Sequence, residues 1–414
     1  MKRFHFPRRL LAATAAVLLL AFFAHAGTEK VLHAFNIADG ELPYDGVVFD
    51  NAGNLYGTTF YGGSTDCDGA GCGVVFKLTP RADGEWTESA IYTFTGGADG
   101  SHPYSPLIFD AAGNLYGGTF GTYNGGSGFG TVFKLTPAPD GSWKFALLHT
   151  FTGGKDGAQP NGRLTFDRAG NLYGATFTGG TYNLGTVFEL TPTSGGSRWQ
   201  ETVLHAFTGG KDGSYLSDGV LKFNGGVYGT TEQGGTGCGQ LGCGVIFELS
   251  PAASGGWRET VLHYFTNGPD GAGPLGLVFD SSGNLYGAAG GGNSIYCYGG
   301  CGLVFRLSRQ PGGAWKETTL HAFNGGNGLD PSALLFGSDG NLYGAAGSGG
   351  FGLGLIFELD SQADWAETVL YKFGGGIDGG EPVRPLIFDA AGNLYGTGTY
   401  GGSGNVGVVF EVTP

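Results

Sequence analysis

Along most of the chain, apolar and aromatic residues alternate with polar ones in short runs, and the second full set of runs reads LIFD (107–110), NLYGGT (114–119), GTVFKLTP (130–137) and FALLHTF (145–151). A spacing of two, rich in β-branched and aromatic residues, predicts half-buried strands. Gly, Asp, Asn and Pro between the runs predict turns. No stretch after residue 26 carries the 3.6-residue period of an amphipathic helix, so the chain reads as all-β.

The strand pattern repeats. The phrase GNLYG begins at Gly53, Gly113, Gly170, Gly283, Gly340 and Gly392, with a degenerate GGVYG at Gly225, which makes seven units stepping by 52 to 60 residues. That period is the size of a propeller blade. Most units join their first two strands by a five-residue turn such as 110–114, whereas the fourth uses Asn224-Gly225-Gly226. Losing two residues leaves every side chain on its original face, and Asn-Gly suits a tight hairpin.

The ends of the pattern predict how it closes. The last unit stops after its third strand, GVVFEVTP (407–414), while EKVLHAF (29–35) matches the fourth strand ETVLHAF (201–207). The chain is therefore expected to be a seven-bladed β-propeller of four-stranded antiparallel blades, its ring closed by the N-terminal strand pairing with the C-terminal strand in the last blade. Trp86, Trp143, Trp199, Trp257, Trp315 and Trp365 each precede a fourth strand by two residues. Leu, Phe, Tyr and Val of the first three strands are expected to fill the space between blades. Gly57 and its equivalents are expected to permit close backbone approach.

Composition adds compartment. Gly 86 and Pro 17 approach low-complexity usage, but Phe 31, Tyr 19 and Trp 6 recur on schedule and supply a core. Basic residues Lys2, Arg3, Arg8 and Arg9, an apolar run from Leu10 to Phe23 and Ala24-His25-Ala26 follow the pattern of a secretory signal peptide over 1–26. Residues 27–414 are then a single exported domain, periplasmic or extracellular, with no membrane span left. Without that segment, 17 basic residues face 35 acidic ones, a balance that disfavours nucleic acid as a partner. Cysteines fall in three local pairs, Cys67/Cys72, Cys238/Cys243 and Cys297/Cys301, expected as disulfides in an oxidising compartment. Each pair lies in a different unit, which disfavours a thiolate zinc site, and no metal or cofactor is expected apart from a calcium ion compatible with the acidic loops.

The phrase GNLYGTT, the following Gly-Gly, GTVFKLTP and W.ETVLHAFTGG.DG together resemble the GloVer (choice-of-anchor) tandem repeat of secreted bacterial proteins. The grammar is also similar to kelch repeats. The resemblance spans residues 27–414 and implies an exported propeller, with no catalytic residues to carry over.

In such a blade the second-to-third loops and the connections between blades share one end of the ring, and the tight turns share the other. The first end holds the cysteine pairs and Tyr61, Tyr123, Tyr182, Tyr296, Tyr298 and Tyr400. It also holds an aspartate before glycine in each connection but one: Asp39, Asp99, Asp156, Asp212, Asp270 and Asp378. Carboxylates beside tyrosines suit a sugar or a cation. The same Asp-Gly pairs suit a repeated turn in which the carboxylate caps local amides. A ligand site is expected to break symmetry, which singles out the stapled loops 64–73, 234–244 and 290–302, the first with Asp66 and Asp68.

His33, His149, His205, His263 and His321 share one fourth-strand position that Tyr92 and Tyr371 fill elsewhere, a pattern of packing with a polar tip rather than metal ligation. Gly237 to Gly242 fits a dinucleotide-binding spacing but no helix follows, and neither G-x-S-x-G nor H-E-x-x-H occurs. The expectation is a monomeric, non-catalytic exported propeller that binds a glycan or an extracellular protein on its loop-rich face. The alternatives are a carbohydrate-active hydrolase or lyase with carboxylates at the channel mouth, and a structural surface protein.

Overall fold

The computed structural model describes residues 27–121, 128–193, 198–292, 297, 300–349, 352–382 and 385–414; the segment 1–26, read above as a signal peptide, lies outside them. The described residues form seven antiparallel sheets and no helix long and apolar enough to cross a membrane. Six of the sheets run in chain order from the axis outward. The first is Val48–Phe49, Leu55–Thr59, Val74–Pro80 and Trp86–Thr93. The third blade splits its innermost strand into Ala158–Pro160 and Thr165–Phe166. In the seventh, Ile387–Phe388, Leu394–Gly398 and Val408–Thr413 are completed by Thr28–Ala34, in register from Thr28 opposite Thr413 to Ala34 opposite Val408. The ring closes as the repeat predicts.

The same contacts recur at each blade interface. The phenylalanine that ends one outer strand packs edge-on against the third-strand phenylalanine of the next blade, as Phe35 does on Phe76 and Phe207 on Phe247, with ring centroids 4.9 to 5.4 Å apart at all seven interfaces. Nearer the axis, a first-strand phenylalanine meets the GNLYG tyrosine of the preceding blade, as Phe109 meets Tyr56. Six interfaces have this pair at 4.9 to 5.3 Å. At the other, Lys222 replaces the phenylalanine and lies over Tyr173 at 4.1 Å and Trp257 at 4.6 Å. Edge-to-face geometry contributes about 0.5–1.5 kcal/mol per pair beyond area burial.

Glycine of GNLYG has a different role from the one expected. Gly57 is paired with Phe76, and a Cβ on Gly57 would lie under 3.0 Å from that ring; Gly117, Gly174, Gly229, Gly287, Gly344 and Gly396 relate to their own phenylalanines in the same way. The missing side chain makes room for an aromatic ring, not for backbone. The tryptophans also shift. Five of them are the first residues of outer strands, as Trp143 is of Trp143–Thr150, rather than lying outside.

Two features were invisible in the alternation. Every outer strand carries a bulge at one apolar position: His205 pairs with Val187 and Val203 with Phe188, which leaves Leu204 between them unpaired, and the same slip recurs in the other six. The five-residue turns are clamped. Asp110 accepts backbone N–H bonds from Ala112 and Asn114, a side-chain bond from Asn114 at 2.6 Å and the Tyr116 hydroxyl at 2.9 Å. Burial alone would raise the Asp110 carboxyl, but these bonds outweigh it and hold it below the ordinary carboxylate range.

Gly174→Ala should overpack Phe188 and lose about 1–3 kcal/mol of stability, while Phe207→Ala should lose about 3–5 kcal/mol by opening a cavity. Denaturant unfolding of both variants measures this. A loss under about 0.5 kcal/mol for either would contradict the repeated-contact description.

Candidate functional site

The aspartates of the blade connections are bound within their own loops. Asp99, Asp156, Asp212 and Asp270 each accept a backbone N–H at 2.9 to 3.0 Å and a hydroxyl at 2.6 to 2.7 Å from the threonine four residues earlier. Asp39 accepts both bonds from Asn36, and Asp378 accepts N–H groups of Gly374 and Gly376. The outer-strand residue behind each loop faces the same carboxylate. Nε2 of His205 and His263 lies 3.3 Å from Asp212 and Asp270, and the hydroxyls of Tyr92 and Tyr371 donate to Asp99 and Asp378. That is why Tyr can replace His there: both present a donor at the tip. Burial pushes His33, His149 and His263 below the ordinary imidazole range despite the facing carboxylate.

A glutamate of the next blade approaches this pair from the other side. Burial is the main cause that pushes Glu29, Glu88, Glu201 and Glu259 up to about 7, and the neighbouring aspartates Asp378, Asp39, Asp156 and Asp212 add to it. Among the described residues, His33, Asp39 and Glu88 are the one group of three potential metal ligands whose atoms all lie within 4.8 Å of one another. The sixth interface shows how such a trio is satisfied by protein alone: Asn327 replaces the aspartate, and Glu367 lies 3.1 Å from His321.

The stapled loops also hold structure. Sulfurs bridge Cys67 to Cys72, Cys238 to Cys243 and Cys297 to Cys301. The first and third bridges cover Gly96 and Gly325 of the following connection, where Phe129, Leu184 and Leu353 cover Gly153, Gly209 and Gly375 in other blades. A disulfide here stands in for a large apolar side chain. Asp66 and Asp68 are exposed on the first loop. Tyr182 is exposed, and Tyr123, Tyr296 and Tyr298 lie outside the described residues. Tyr61 and Tyr400 face inward company: Tyr61 packs on Phe60 and His102 at 4.8 and 5.2 Å, and Tyr400 contacts Tyr44.

That company leads to the axis. A cavity of about 520 Å³ opens there, lined by residues from all seven blades. One wall is aromatic. Tyr44 and Tyr104 lie 5.6 Å apart, both edge-on to Phe60, with Phe120 behind Tyr104 at 5.5 Å. Burial, reinforced by the neighbouring tyrosines, pushes the Tyr44 hydroxyl up to about 12, so it remains a donor. The opposite wall is acidic, with Asp218 and Glu232 of the fourth blade, Asp330 of the sixth and Glu381 of the seventh, and Arg163 of the third beside them. Asp218 accepts the Gly276 N–H at 2.9 Å. Asp330 meets solvent in the cavity, yet the surrounding walls desolvate its carboxyl enough to raise it. Asn161 and Ser332 also line the cavity; each is 7% exposed, and Asn161 Oδ1 and Ser332 Oγ are buried without a hydrogen-bond partner.

Backbone strain brings two of these carboxylates to the rim. After each Asp-Gly or Asn-Gly, the second residue on adopts a left-handed conformation: Leu42, His102, Gln159, Tyr215, Asp330 and Glu381 have φ between 52° and 60°, and the fifth blade has Gly273. A non-glycine residue there costs on the order of 1–3 kcal/mol. The turn aims its N–H at a carbonyl of the preceding blade, at 2.5 to 3.3 Å in all seven cases, from Leu42 onto Val406 through Glu381 onto Leu353. The next residue, proline in six blades and Leu216 in the other, seats on a glycine of that blade, as Pro103 does on Gly73. Blade docking therefore fixes the backbone at the cavity rim, and the side chain is free to vary.

The cavity residues went unread in the sequence. They come largely from the few positions between this proline and the first-strand phenylalanine, YDG, YSP, NGR, SDG, LG and SA in blades one to six. This segment is where the units do not match one another, and that mismatch was the available signal.

The family described as Gloeobacter/Verrucomicrobia repeat matches at residues 21–241 and 237–414. No curated protein matches the chain. Among solved structures, a PQQ-bound aldose sugar dehydrogenase from Streptomyces coelicolor is similar at 12% identity and TM-score 0.47, covering 94% of this chain and 98% of that one. A luciferin-regenerating enzyme is similar at 13% identity and TM-score 0.46, over 75% and 91% of the two chains. A protein of unknown function from Dyadobacter fermentans is similar at 12% and 0.45, over 93% and 96%. Likeness at this level carries no argument about function.

The outer-strand glutamates and the turn aspartates give the fold a pH dependence. Folding raises the four glutamates above the ordinary value, so their contribution is complete in acid and is lost as pH rises through about 7. The turn aspartates Asp50, Asp110, Asp167 and Asp389 are held low, so theirs is lost as pH falls below the ordinary carboxylate range. Melting temperature should peak in mildly acidic solution, and the combination Glu88→Gln, Glu201→Gln, Glu259→Gln should flatten the fall above about pH 6. A melting temperature that climbs between about pH 6 and pH 8 would contradict this.

Proposed function

The chain belongs to the Gloeobacter/Verrucomicrobia repeat family, and from that premise we propose that it is an exported propeller that binds a saccharide in its axial cavity without transforming it. The observation that carries this reading is where the seven blades agree and where they differ. Aromatic rivets, turn clamps and rim contacts are nearly invariant, whereas the cavity lining changes from blade to blade. Interfaces need repetition; a ligand without sevenfold symmetry needs difference. The lining is suited to a sugar, with tyrosine faces for its apolar ring surface and amide, hydroxyl and carboxylate groups for its hydroxyls. Three disulfides support an oxidising, exported setting.

A second reading, hydrolysis or lysis of the same saccharide, draws on Asp330. Its raised carboxyl is what a general acid requires.

A glycan array with and without calcium, followed by calorimetry on the hits, tests the proposal. Binding is expected, with Tyr44→Ala or Tyr104→Ala weakening it by about tenfold. Product formation from a bound saccharide, abolished in Asp330→Asn, would favour the enzymatic reading. An array without hits would leave a structural surface role.

A further inference from the structure

The saccharide reading leaves the ligand's charge open, and the cavity lining addresses it. Among the described residues the wall carries four carboxylates, Asp218, Glu232, Asp330 and Glu381, against one guanidinium, Arg163. Asp218 and Glu381 are partly buried and Glu232 and Asp330 are exposed, and all four converge on the axial cavity from three blades. Two of them, Asp330 and Glu381, occupy left-handed backbone positions at equivalent places in adjacent blades. Burial raises the Asp330 carboxyl above its ordinary value. A carboxylate so placed favours a ligand that brings positive charge.

Uncharged groups in the same cavity narrow the class. Asn161 Oδ1 and Ser332 Oγ, both in residues more than nine-tenths buried, have no partner within the protein. Oδ1 can accept a bond, and a hydroxyl can donate as well as accept. A bare metal ion would use neither the serine proton nor the tyrosine faces opposite. A polyhydroxyl ring bearing ammonium groups would use all three features: ammonium toward the acidic wall, hydroxyls toward the amide and serine, and its C–H face on Tyr44 and Tyr104.

Resting on the saccharide reading, we propose that the axial cavity binds an amino sugar carrying free ammonium groups, presented as a short oligomer. The choice separates it from neutral sugars and excludes uronic acids, which the acidic wall repels.

Three oligomers that share a β-1,4-linked glucose-type backbone and differ at carbon 2 make the test: the glucosamine hexamer (ammonium), the N-acetylglucosamine hexamer (acetamide) and cellohexaose (hydroxyl). Calorimetry on the full exported chain at mildly acidic pH is expected to give the glucosamine hexamer at least about tenfold tighter affinity than the other two. That preference should shrink with added salt. Asp330→Asn with Glu381→Gln should erase it; asparagine tolerates the left-handed backbone at 330, and circular dichroism and melting establish that the variant is folded. Equal or stronger binding of acetylated hexamer or cellohexaose by the unmodified chain would overturn the amino-sugar assignment while leaving the saccharide reading intact. Failure of all three and of every array sugar would overturn both.

Discussion

An aromatic ring seated over a glycine is the contact on which the remaining architecture depends. The third-strand phenylalanine, Phe76 in the first blade, lies across Gly57 of its own sheet and meets Phe35 of the preceding one. A side chain on the glycine would displace the ring, and without the ring the blades lose their common spacing. Because the same pair occurs at all seven interfaces with nearly equal separation, each blade turns from its neighbour by a similar amount. The ring then closes when Thr28–Ala34 completes the seventh sheet. Closure gives the seventh sheet the outer strand that every other blade has.

Much of this was legible before any coordinates. Period-two alternation located the strands, the GNLYG spacing counted the blades, and the match between 29–35 and 201–207 predicted closure. What escaped was whatever depends on contact between strands or between a strand and its loop. The bulge at Leu204 and its equivalents interrupts alternation for a single residue, too short a signal to separate from ordinary variation. The purpose of Gly57 was misread because its partner, Phe76, sits in another strand of the same sheet. The polar tip read for His and Tyr at one outer position had no visible partner until the aspartate that both face, Asp212 or Asp99, was placed beside them.

The candidate site was less legible, for a physical reason. Tyr44, Asn161, Asp218, Asp330 and Glu381 become neighbours of one cavity only when the ring has closed. No local motif marks them: some precede a short strand, while Asp218 and Asp330 fall within longer ones. The cysteine loops were the more visible asymmetry. The first and third bridges occupy places where other blades have Phe129, Leu184 or Leu353, so that asymmetry concerns packing. Division of labour follows: invariant positions hold the wheel together, the docking turn fixes the rim, and the positions released from packing are the ones the proposal assigns to recognition.

Hydrogen–deuterium exchange of the chain with and without the proposed saccharide tests that division most directly. Protection should concentrate in the segments around the axis, 42–45, 102–105, 161–163 and 330–332, with the outer strands unchanged. Protection confined to loop 234–244, or to the tight turns such as 110–114 at the opposite end, would contradict the assignment of recognition to the axial cavity.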